Sequence, residues 1–133
     1  MSIAENVARI RAEMASAAIA AGRDPKEILL CAATKMNNAE AVRRAIAAGV
    51  DCCGENRVQE LTQKLSENAY EGVPVHFIGH LQTNKVRQVV GKVSLIQSVD
   101  RPRPAGNTYN RQLVIEPRIS LCRHSRSLFM MIV

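Results

Sequence analysis

The sequence predicts an α/β chain, a mostly parallel sheet covered by helices. Three observations predict it. Apolar runs of strand length alternate with segments of helical periodicity, and the connections between them are short. Aromatic residues are scarce, with two Tyr, two Phe and no Trp. A core built from Ala, Val, Ile and Leu favours helices packed on a sheet over an aromatic-rich sandwich, and 133 residues suffice for one domain with a substantial core.

The elements follow in order. "IAENVARIRAEMASAAIAAG" spaces Ile3, Val7, Ile10, Met14 and Ala18 at three- and four-residue steps, which predicts an amphipathic helix stopped at Gly22. "EILLCAAT" is an apolar run of strand length. "NNAEAVRRAIAAG" predicts a second helix, capped by Asn37 or Asn38 and stopped at Gly49. "VDCCG" reads as a short strand, "ENRVQELTQKLSENAY" as a helix, and "VPVHFIG" as a strand opened by Pro74. "TNKVRQVVG" then reads as a helix and "VSLIQSVD" as a strand. Four strands joined by three helices imply parallel neighbours with right-handed crossovers. An open doubly wound sheet and a (β/α)₈ barrel share this pattern, which by itself does not separate them.

After Asp100 the patterning stops. Residues 101–133 hold three of the five prolines and show no sustained period; "QLVI" and "SLFMMIV" stand as isolated apolar clusters. The chain therefore divides into a patterned segment, 1–100, and an irregular basic tail, 101–133. The formal net charge of +6 belongs to the tail: residues 1–100 hold 12 Lys/Arg against 11 Asp/Glu, and the rest six Arg against one Glu. No apolar run is long enough to span a membrane, and "MSIAENVARIRAEMA" lacks a signal-peptide core, so the expected compartment is the cytoplasm with no membrane partner. Cys31, Cys52, Cys53 and Cys122 show no CxxC spacing and are expected to be reduced and mostly buried.

Lys35 is the first candidate site residue. It follows "ILLCAAT" directly, and parallel α/β folds gather functional groups at the carboxyl ends of their strands. A lysine desolvated by apolar neighbours keeps its amine neutral and nucleophilic toward aldehydes; the plainer alternative is a solvated loop lysine. Gly54, Glu55 and Asn56 form "GEN" at the end of the second strand, where Gly54 permits close backbone approach and Asn56 can donate and accept hydrogen bonds. The plainer reading is a turn with Glu55 or Asn56 in the first helical turn. His76 and His80 straddle a strand and a glycine, so a zinc site built from them with Cys52 and Cys53 is not expected, and no metal is assigned. No glycine-rich phosphate loop is present, and "TNKVRQVVGK" reads as the solvated face of a helix.

"ATK" after an apolar strand, "GENRVQEL" some twenty positions on, and "VHFIGHLQTNK" followed by "LIQSVD" closely resemble, in order and spacing, the pyridoxal phosphate homeostasis proteins, the YggS-like family. The resemblance runs from about residue 3 to Asp100, roughly three quarters of the chain. It implies a parallel (β/α) barrel related to the N-terminal domain of alanine racemase, with only about the first half present. It also implies that pyridoxal phosphate is held as a Schiff base on the lysine after the first strand, here Lys35, with Asn56 near the cofactor. The family has no settled catalytic activity and is associated with keeping the free aldehyde at a safe level and supplying it to apo-enzymes. An active racemase-like enzyme would need a second acid/base group opposite Lys35, and the sequence offers no convincing one.

The chain also departs from the family. A full barrel takes about 200 to 250 residues, and the tail has no counterpart of the later strands and loops that hold the cofactor's phosphate in the family. A shifted-frame or otherwise aberrant ending, or a disordered tail, would account for the change at Arg101. Four strands lacking their partners would expose sheet edges, inviting self-association and weakening cofactor retention. Two other readings follow: a non-functional truncated family member, or a binder of nucleic acid or an acidic partner acting through the basic tail.

Overall fold

Helix α1 (Ile3–Ala20) starts where the sequence signals a start. Ser2 caps it by accepting from the Glu5 N–H at 3.2 Å, and the Glu5 carboxylate accepts from the Ser2 N–H at 2.7 Å, closing a capping box. These bonds to Ser2 also hold the Glu5 carboxyl below its usual value. The helix buries Val7, Met14 and Ala18, and Gly22 ends it with a φ of 70°. Its outer side reaches across to the next unit through Arg11, which donates to Gly49 O and Asp51 Oδ2, each at 2.6 Å.

The computed structural model describes residues 2–97 throughout and, beyond them, only the backbone of two strands. The order after α1 is β1 (Leu29–Ala33), α2 (Ala39–Ala47), β2 (Cys52–Glu55), α3 (Val58–Ser66), β3 (Val75–Phe77), α4 (Val86–Val89), β4 (Leu95–Ile96), β5 (Ser120–Leu121) and β6 (Leu128–Ile132). Asn38 caps α2 through the Ala41 N–H at 2.9 Å. Arg57 occupies the cap position of α3 without a side-chain bond, so neither Glu55 nor Asn56 lies in the helix as the plainer reading of "GEN" had it. A 3₁₀ turn at Thr83–Lys85 leads into α4.

All strand pairs are parallel, in the order β5-β4-β3-β2-β1-β6. The run β4-β3-β2-β1 advances one neighbour at a time in one direction, as barrel strands do, without the reversal that defines a doubly wound sheet. This is an α/β fold with the layout of a barrel's first half.

The tail departs from the sequence expectation at two places. Ser120–Leu121 pairs with β4, and Leu128–Ile132 pairs with β1 over five residues, from Leu29↔Leu128 to Ala33↔Ile132. "LFMMI" is an apolar run of strand length whose strand character was masked by the absence of any helix or cap beside it. The edge expected to lie open at β1 is therefore paired, and β5 and β6 stand at the ends of the order. The proposals of a shifted frame or a disordered tail concern residues that otherwise lie outside the described ones.

Period-2 alternation divides the sheet residues between two faces. Leu30, Ala32, Cys53, Val75 and Phe77 join Val42, Ala45, Leu61 and Val89 in the helix-covered core. Full burial of a side chain such as Leu30, Leu61 or Phe77 contributes about 1.5–3 kcal/mol. Cys31 and Cys52, which face each other in register, and Gly54 and His76, likewise paired, occupy the opposite face. Among the described residues, no helix is long and apolar enough to cross a membrane.

Candidate functional site

The carboxyl end of β1 is fixed at each step. The Thr34 N–H donates to Gly54 O at 3.0 Å, extending the β1–β2 ladder by one residue, and the Asn37 N–H closes a turn onto Thr34 O at 3.2 Å. Asn37 Nδ2 donates to the carbonyl of Lys35 at 3.2 Å. Met36, next to it, takes a φ of 62°, a left-handed conformation disfavoured for a side chain of its kind. Its N–H is anchored on Glu60 Oε2 of α3 at 2.9 Å, a bond that is the main cause holding the Glu60 carboxyl below its usual value. Lys35 thus sits in a turn whose backbone is tied to β2 and α3.

The Lys35 side chain is half-buried, and among the described residues no hydrogen bond or ion pair engages its amine. The desolvated setting expected from "ILLCAAT" is corrected in this respect. The apolar residues of β1 lie below the turn, and the turn lifts residue 35 to the rim of the sheet.

Beneath that rim lies a buried polar cluster. Glu55 is fully buried, and its Oε1 accepts from Thr34 Oγ1 at 2.6 Å, Lys64 Nζ at 2.6 Å and Tyr70 OH at 2.8 Å. Lys64 Nζ also donates to Thr34 O at 2.6 Å. Burial, followed by the Glu55 charge, pushes the Tyr70 hydroxyl up from its usual value, so it serves as a donor. Lys64 and Glu55 form an ion pair that clamps the end of β1 to β2 and α3. Sequence reading missed Lys64 and Tyr70. The available signal was weak: Lys64 falls three and six residues after Leu61 and Val58, on the buried stripe of α3, where a lysine resembles a surface residue that has strayed.

Asn56 lies at the end of β2. Its Oδ1 is buried without a hydrogen-bond partner among the described residues, an expensive condition that a ligand donor would relieve. A side chain added at Gly79 would place its Cβ 2.5 Å from Asn56 O and 2.7 Å from Asn56 Cα, so the "HFIG" glycine is what lets the β3 loop pack on this residue. A cavity of about 250 Å³ opens beside it, bordered by Arg57, His80, Gln82 and Lys85. Lys35 is not among the residues lining that cavity.

His76 and His80 do not come together as ligands: His76 is buried on β3 and His80 is exposed in the loop after it. Cys53, on the helix-covered face, has its thiol pushed up to about 12, chiefly by burial. Cys31, Cys52 and His76 do converge, with their donor atoms within 4.8 Å of one another. A hydrogen bond with Cys31 draws the Cys52 thiol below its usual value against the effect of burial, and His76 assists; Cys31 is pushed up in turn. Cys31, Cys52 and Cys53 are free and buried, as expected; Cys122 lies outside the described residues.

No family model matches the chain. It is 40% identical to the pyridoxal phosphate homeostasis protein of Pseudomonas aeruginosa over 121 residues, which covers 91% of this chain and 53% of that protein. It is 42% identical to the protein of the same name from Escherichia coli over 106 residues, 77% of this chain and 45% of that one. Among solved structures, PipY of Synechococcus elongatus PCC7942 with pyridoxal phosphate bound superposes with a TM-score of 0.61 at 37% identity, covering 75% of this chain and 43% of PipY. The chain spans about half the length of the curated relatives it matches. A match over 91% of the chain extends past Asp100, so it takes in part of the segment that composition sets apart.

Proposed function

We propose that this chain, a member of the pyridoxal phosphate homeostasis protein family matching about half its relatives' length, holds pyridoxal phosphate through a Schiff base on Lys35. One observation carries the assignment. The amine of Lys35 has no partner among the described residues, while the backbone of its turn is pinned by Gly54, Asn37 and Glu60. An unpaired amine on a rigid mount at the carboxyl end of a parallel strand suits reversible capture of an aldehyde. Condensation forms a C=N bond and releases water, and hydrolysis reverses it, so the cofactor is stored without being consumed. The unpaired Asn56 Oδ1 offers an acceptor at the neighbouring strand end for a donor group of the ligand.

The role we assign is storage of a reactive cofactor in the cytoplasm and its release to apo-enzymes, with no turnover of a substrate. Titrating pyridoxal phosphate into the protein and into Lys35→Ala tests the assignment. The wild-type chain will show a saturable shift of the cofactor's visible absorption, absent from Lys35→Ala, with matching far-UV circular dichroism. Superimposable titrations of the two proteins would remove Lys35 from the site.

A further inference from the structure

We propose that Cys31, Cys52 and His76 form a binding site for a thiophilic divalent cation, Zn²⁺ first among them, on the sheet face opposite the helix-covered core. The site is separate from Lys35 and does not depend on the pyridoxal phosphate reading.

Register builds the site. Cys31 and Cys52 are direct partners across β1 and β2, so both sulfurs project from one face at the same height. His76 is the partner of Gly54, two residues beyond Cys52 and therefore on that face too. Gly54 has no side chain to come between them, and the Ile78 side chain packs over it instead: a Cβ at Gly54 would lie 2.8 Å from Ile78 Cδ1 and 3.3 Å from Cys31 Sγ. Three donors from three adjacent strands are thus held by backbone pairing before any ion arrives, all within 4.8 Å of one another. Around a tetrahedral zinc, with bonds of about 2.0–2.3 Å, such donors stand roughly 3.5–4 Å apart, a change that side-chain rotation alone can supply.

The chemistry suits a soft dication. Cys31 is 0% exposed, Cys52 1% and His76 7%, so any charge left on the sulfurs would be costly. Two thiolates and one neutral imidazole around Zn²⁺ carry no net charge, and whatever thiol protons remain leave on binding. Three protein donors leave one tetrahedral position for a further ligand. An outer contact is within reach: Gln97 Nε2 stands 3.1 Å from His76 Nδ1, where its N–H donates to that nitrogen and the neutral imidazole carries its proton on Nε2. Turning the Gln97 amide over would present its oxygen to an Nδ1–H, the arrangement that orients a ligating histidine. Positions 31, 52 and 76 follow no CxxC or HxxxH spacing, which is why linear reading does not find the trio.

The test uses the reduced, chelator-stripped full chain titrated with Co²⁺ and then Zn²⁺. One Co²⁺ per chain will give a thiolate-to-metal charge-transfer band that Zn²⁺ abolishes. Cys31→Ser and Cys52→Ser will lose the band, while Cys53→Ser and Cys122→Ser will keep it. Gln97→Leu, a change to a positioning residue, will weaken Zn²⁺ binding by about 10-fold or more while leaving the band shape unchanged. Should a serine variant fail to fold, alkylation of the wild-type chain in mild denaturant decides the matter. Zn²⁺ will then protect Cys31 and Cys52 in the peptide map and leave Cys53 unprotected. No band in the wild-type chain, or equal alkylation of all thiols with and without Zn²⁺, would overturn the proposal.

Discussion

Replacing Lys64 with methionine will lower folding stability by about 3–5 kcal/mol, the usual cost of removing one partner from a buried ion pair. The side chains of Lys64 and Glu55 are 6% and 0% exposed, and their charged atoms are 2.6 Å apart. Methionine fills much the same volume but leaves the carboxylate with only the hydroxyls of Thr34 and Tyr70, and its Oε2 already lacks a partner among the described residues. Thr34 O loses the Nζ–H donor at the same time. Since whole domains of this size are stable by roughly 5–15 kcal/mol, the loss is a large fraction of the total. The double variant Lys64→Met/Glu55→Gln will cost less than Lys64→Met alone, because the buried charge is then gone. Urea denaturation measures both; a loss under about 1 kcal/mol for Lys64→Met would mean that Glu55 reaches water. The change will also loosen the turn carrying Lys35, whose neighbouring carbonyl Lys64 holds.

Gly79→Ala will be the second costly change, by about 2–3 kcal/mol, at the upper end of the range for overpacking. Its Cβ would meet three atoms of Asn56 at 2.5–2.7 Å, two of them backbone, and backbone at a strand end cannot swing aside. Gly54→Ala makes a useful contrast. Its nearest neighbour, at 2.8 Å, is Cδ1 of Ile78, the free end of a flexible side chain, so the clash can be relieved by rotation. Gly79→Ala is therefore expected to destabilise more than Gly54→Ala and to displace Asn56 from the end of β2. Chemical denaturation of the two variants side by side checks the order; the reverse ranking would show that the β3 loop, and not the β2 strand end, gives way.

Most of the fold was legible because its signals are local. The spacing of Val7, Met14 and Ala18 marked the buried stripe of α1, Asn38 capped α2, and Gly22 and Gly49 took the positive φ their stop positions require. What was lost depended on partners distant in sequence. "LFMMI" becomes a strand only because β1 stands ready to pair with it, and pairing between positions 29 and 128 leaves no mark on the intervening text. The candidate site divides in the same way. Lys35 and Asn56 stood out because each follows a strand. Lys64, Tyr70 and the trio of Cys31, Cys52 and His76 did not, because burial and convergence arise from packing and register across strands.

In the proposed role, Lys35 is set apart from the other lysines as the amine that captures an aldehyde. Incubation with pyridoxal phosphate, reduction with borohydride and mapping of the modified peptides tests it most directly. Label is expected to concentrate on Lys35, well above that on Lys26, Lys85 or Lys92. Label distributed among the lysines in proportion to their exposure would contradict it.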